Sequence, residues 1–137
     1  MKYPFRIFLA ILSVFVLTLS ACSNRDASKI QEAEKMIVAN PDSAMTMLRE
    51  VVNPHLLPDS AQALYWLSIA NIHSNLHQSL SEDSMVCWSA DYYLNAWQDI
   101  PQNERTYLLT KRMMKAQMLK VFYYWWINEK ETAYKYL

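Results

Sequence analysis

Few side chains in this sequence are spaced for chemistry. His73-Ser74-Asn75-Leu76-His77 puts two imidazoles four residues apart, on one face if the segment is helical. Zinc proteases use that spacing, but Ser74 stands where their glutamate base would follow the first histidine. No third ligand has matching spacing, and the helix dipole alone favours histidine near a helix C-terminus, so no metal is assigned. The carboxylates Glu82, Asp83, Asp91 and Asp99 are scattered, and helix-start roles account for the first two. No Ser-His-Asp set and no general acid–base pair can be assembled. No catalytic or cofactor-binding residue is therefore assigned, and an enzyme is not expected. Lys111, Arg112 and Lys115 form a basic cluster opposite Met113 and Ala116. They read either as a solvated face or as the lining of a groove for an acidic partner or a peptide carboxylate.

Composition narrows the scaffold that could carry such a groove. The chain has 137 residues, 13 Lys+Arg against 13 Asp+Glu, and no glycine. Average composition would supply about ten glycines at this length. Their absence excludes a P-loop or a dinucleotide-binding fingerprint and argues against hairpins on Asn-Gly turns. Eight methionines, with abundant Leu, Ala, Lys, Gln and Glu, point to helices in a single small domain.

The N-terminus reads as a targeting segment. Lys2 and Arg6 precede an uncharged run from Ile7 to Leu19, and small residues follow. That is the layout of a secretory signal peptide. Leu19-Ser20-Ala21-Cys22 resembles the lipobox of bacterial lipoproteins. The resemblance implies cleavage between Ala21 and Cys22, with diacylglycerol on the Cys22 thiol. Each buried CH₂ contributes about 0.8 kcal/mol, and two or more chains anchor stably. Two other readings are an uncleaved anchor, since residues 7–24 are uncharged, and an ordinary secretory signal with Cys22 incidental. Ser23 stands where aspartate would retain a lipoprotein at the inner membrane, so the resemblance favours the outer membrane of the cell envelope. Losing Lys2 and Arg6 leaves 11 cations against 13 carboxylates, a balance that gives no general attraction to nucleic acid. Cys87 is then the one unmodified cysteine, beside Trp88 in a helical pattern, and reads as a packing thiol.

After a short tether (22–27), apolar residues recur at spacings of three, four or seven. The stripes are Ile30-Ala33-Ile37, Ala44-Leu48-Val51, Tyr65-Ile69-Ile72-Leu76, Met85-Trp88-Ser89-Tyr92-Ala96 and Leu109-Met113-Ala116-Tyr123-Ile127. Strand content near zero is expected. Pro41-Asp42-Ser43-Ala44 and Pro58-Asp59-Ser60-Ala61 repeat 17 residues apart, echoed by Ser81-Glu82-Asp83-Ser84. Proline suits the first helical position, and nearby Asp and Ser satisfy free N–H groups. Helices are predicted over about 28–39, 42–52, 59–76, 83–97, 103–127 and 130–137.

A 17-residue spacing is half the tetratricopeptide period of 34. Tyr124 and Ala133 match a tyrosine and a small-residue position of that repeat, although Val121 stands where a smaller residue is usual. With Asn40-Pro41-Asp42-Ser43-Ala44, Asp83-Ser84 and Asp91-Tyr92-Tyr93, the mature chain resembles the N-terminal part of bacterial tetratricopeptide-like lipoproteins. The resemblance implies an all-α fold of antiparallel helix pairs stacked as an α-solenoid, with residues 28–137 as the repeat domain. It also implies a membrane-anchored scaffold or sensor that binds a protein or peptide. Phe122 to Trp126 are five consecutive aromatics, and Tyr134, Tyr136 and Leu137 follow. A helix apolar all round must be covered on more than one side. The domain is therefore expected to be incomplete at its C-terminus or to self-associate through this aromatic helix. An N-terminal fragment of a longer sensor and a carbohydrate-binding surface lipoprotein are the alternatives. Cys22→Ser should abolish acylation: intact mass should lose the acyl chains, and the protein should leave the detergent phase or persist as precursor. A wild-type mass lacking acyl chains would refute the anchor.

Overall fold

A computed structural model describes residues 24–136. The expected signal peptide 1–21, the expected Ala21–Cys22 cleavage and lipidation site, and Leu137 lie outside the described residues. Those described form an all-helical fold with no strand. Helix α1 covers residues 24–36, and α2 (Pro41–Arg49) and α3 (Asp59–Asn75) follow. Then come α4 (Met85–Asp99), α5 (Tyr107–Trp126) and a short α6 (Lys130–Tyr134). Residues 24–27, expected in the tether, already belong to α1, and Ala27 packs against the core.

Local chemistry explains most boundaries. Asn40 caps α2 by accepting a hydrogen bond from the Ser43 N–H at 3.1 Å, with Pro41 at the first turn. Helix α5 starts at Tyr107, four residues later than predicted, because Thr106 Oγ1 accepts from the Leu109 N–H at 3.2 Å. Asp83 does not cap α4. Its carboxylate meets His73 Nδ1 at 2.8 Å and pins the α3–α4 connection, in which Leu80 is buried. Without glycine, two other residues take left-handed backbone among the described residues: His77 (φ 54°) and Asn128 (φ 65°). Asn accepts that region readily, whereas His does so less often.

Two apolar clusters fill the interior. Ile30, Ala33 and Ile37 of the first helix and the turn after it join Ala44, Leu48, Ala61, Leu64 and Ile72 in one. In the other, Ala63, Leu67 and Ala70 meet Val86, Ala90, Tyr93, Ala116 and Leu119. Helix α3 belongs to both and is therefore buried on two sides. The predicted Tyr65-Ile69-Ile72-Leu76 stripe is only the side facing the first cluster. Each of α2 to α5 packs on its successor, and α3 also touches α5, while α2 and α4 make no contact. Ile72 is wholly buried within α3. Ile72→Ala should lower the unfolding free energy by about 2–5 kcal/mol, through lost transfer energy and a residual cavity, measured by urea denaturation.

Candidate functional site

The odd-numbered helices frame a groove of about 510 Å³, well inside the usual ligand-pocket range of about 300–1,000 Å³. The first helix and the turn after it supply Glu34, Lys35, Ile37 and Val38. Helix α3 supplies Leu67, Ser68, Asn71 and Asn75, and α5 supplies Leu108, Lys111, Arg112 and Lys115. All three residues of the predicted basic cluster therefore line it.

They do not act alike. Arg112 forms a two-pronged pair with Glu34: Nε donates to Oε1 at 2.8 Å and Nη2 to Oε2 at 2.6 Å. Both side chains are mostly shielded from solvent. A planar guanidinium suits this bidentate geometry. Arg112 is thus already engaged, binding α5 to α1. Tyr93 lies within reach of both charges, and burial holds its phenol above its ordinary value, with Arg112 opposing and Glu34 adding. Lys35, Lys111 and Lys115 form no ion pair among the described residues.

The floor combines apolar and polar groups. Ile37 and Leu67 are buried, while Val38 and Leu108 stand exposed at the rim. Ser68 is 1% exposed, and its hydroxyl finds no hydrogen-bond partner within the protein. Most buried polar side chains are hydrogen-bonded, so an orphan beneath a groove is uncommon.

The remaining candidates separate. His77 lies beyond the end of α3 in left-handed backbone, so it does not share a helical face with His73. His73 is engaged by Asp83, whose carboxyl is pushed up from its ordinary value by burial, with the His73 hydrogen bond and charge opposing. Cys87 packs against the second cluster, and burial pushes its thiol up; a hydrogen bond from Tyr124 and the charge of Lys120 oppose this. Lys120, unremarked in the sequence, is 5% exposed, bonds Asp91 at 2.8 Å and lies 4.0 Å from the Tyr136 ring centroid. Phe122, Trp125, Trp126, Tyr134 and Tyr136 remain exposed by 42–62%. Glu34, Lys35, Ser68 and Asn71 were missed as site residues. A signal did exist for Glu34, which flanks the Ile30-Ala33-Ile37 stripe, where a charge sits at the edge of a helix contact.

Comparison with family models, curated proteins and solved structures gives no match. The site rests on its own geometry. Glu34→Gln weakens the fork and leaves Arg112 half-buried without its charge partner, so stability should fall by about 1–3 kcal/mol. Lys111→Ala should stay within about 0.5 kcal/mol of wild type, since it removes a like-charge neighbour of Lys115. Chemical denaturation of both variants checks the contrast.

Proposed function

We propose that this chain is a tetratricopeptide-like helical scaffold of the bacterial cell envelope. In this reading it is tethered through lipid on Cys22, at the outer membrane rather than the inner. It binds a protein or peptide on the face made by α1, α3 and α5. The observation that carries the reading is the shared groove of alternate helices. Three odd-numbered helices converge on one concavity, whereas α2 and α4 lie apart. Stacked helix pairs produce that division, one helix of each pair lining the inner face. The fold supports binding better than catalysis, because the groove offers unpaired cations, amides and apolar side chains but no nucleophile with an adjacent base.

A second reading has its own support. The exposed Phe122, Trp126 and Tyr134 form an aromatic surface of the kind that a further repeat or a second copy would cover. In that case the chain is part of a longer sensor, or self-associates.

Photo-crosslinking in cells separates the faces. Benzoylphenylalanine at Val38, on the groove rim, should give a discrete adduct at the membrane. The same residue at Arg49, exposed on α2, should not. Equal adducts at both positions, or none at Val38, would overturn the groove as the binding face.

A further inference from the structure

Resting on the proposed groove as binding face, we infer that its ligand is an acidic peptide segment in which carboxylate side chains alternate with apolar ones. Three observations converge on that chemistry.

The first is a local inversion of charge. The mature chain, without Lys2 and Arg6, carries two more carboxylates than cations. Yet the groove gathers Lys35, Lys111 and Lys115, and its one carboxylate, Glu34, is bound by Arg112. The fork therefore removes one charge of each sign and leaves three uncompensated ammonium groups at one concavity. Lys111 and Lys115 sit four residues apart on α5, a spacing at which like charges repel. Ligand carboxylates would relieve that repulsion.

The second observation is the apolar share of the lining. Val38 is 89% exposed and Leu108 46%, in the turn after α1 and on α5 respectively. Between them the floor of Ile37 and Leu67 is buried. A small inorganic anion would use the lysines and leave these apolar groups in water. A peptide with an aliphatic residue between acidic ones uses both. The volume of about 510 Å³ accommodates side chains of that size.

The third is Ser68. Its hydroxyl is buried in the floor with no partner within the protein, and Asn71 one turn on makes no side-chain hydrogen bond among the described residues. Asn71 can serve the donors and acceptors of a peptide that lies over α3, whereas an aliphatic ligand would leave its amide unmet; the Ser68 hydroxyl lies just beneath it, out of solvent contact. Arg112 is a positioning residue in this arrangement, because its donors toward α1 are occupied by Glu34.

Calorimetric titration of the full chain in detergent micelles tests the inference. One probe is an end-blocked hexapeptide of glutamate and leucine, a second has glutamine in place of each glutamate, and citrate serves as a small anion. The glutamate peptide should bind at least tenfold more tightly than the glutamine peptide and weaken as salt rises from 0.05 to 0.3 M, roughly the range over which Debye screening tightens. Lys111→Ala with Lys115→Ala should cost tenfold or more in affinity, with far-UV circular dichroism unchanged. Asn71→Ala should weaken the peptide while leaving any citrate binding unaltered. Equal binding of both peptides, full binding by the double-lysine variant, or citrate matching the peptide would each overturn it. If the Val38 crosslink persists while the glutamate peptide fails to bind, the groove stands as a binding face and the acidic ligand falls. If the peptide binds, the double-lysine variant loses it and no crosslink forms at Val38, the groove's preference for acidic peptides stands and its use as the binding face in the cell falls.

Discussion

The pairing of Glu34 with Arg112 spans 78 residues of chain and ties α1, already seated by Ile30, Ala33 and Ile37, to α5. A half-buried carboxylate and guanidinium favour pairing, because leaving either alone in that position costs about 1–3 kcal/mol. Once they meet, α1 and α5 are held over the same side of α3. The groove above Ser68 follows from that placement. Its charge comes from Lys35, Lys111 and Lys115, because the fork pairs the one acidic side chain among the lining residues with Arg112. The ion pair thus helps to shape the candidate site, and the three lysines give it its sign.

The lack of glycine imposes a different discipline on the connections. Where a glycine would ordinarily end a helix, Asn128 and His77 take the left-handed backbone instead. Asn40 and Thr106 supply side-chain caps at the starts of α2 and α5. The α3–α4 connection has no such cap at its end. It is held by the His73–Asp83 contact and by Leu80, whose side chain is fully buried. A connection anchored by a hydrogen-bonded side-chain pair and one apolar plug constrains the angle between α3 and α4, and through it the second cluster.

At the other end, Lys120 shows how α5 serves two masters. Its ammonium group reaches Asp91 on α4 and also lies over the Tyr136 ring, so one buried cation joins three parts of the fold. The aromatic residues that follow on α5 divide by face. Tyr123 packs partly against the second cluster, whereas Phe122 and Trp126 stay in solvent. A helix of one-sided contacts cannot shelter five consecutive rings.

How much of this was legible beforehand differs from element to element. Helical spacing and the missing glycines settled the all-helical class, because periodicity and backbone freedom are properties of the local chain. The Pro-Asp-Ser-Ala repeats placed the starts of α2 and α3 within a residue or so for the same reason. The basic cluster on α5 was visible too, since three cations within five residues must share a side of a helix. What could not be read was which of them was engaged. Lys111, Arg112 and Lys115 look equivalent in sequence, and only tertiary structure brings Glu34 to Arg112 and leaves the lysines to the groove. Asp83 was similarly misread as a helix start, because its partner His73 lies across a turn whose path depends on the buried Leu80. Local spacing is written in the chain one turn at a time. Pairing across helices depends on how whole faces pack, and no neighbouring residue records it.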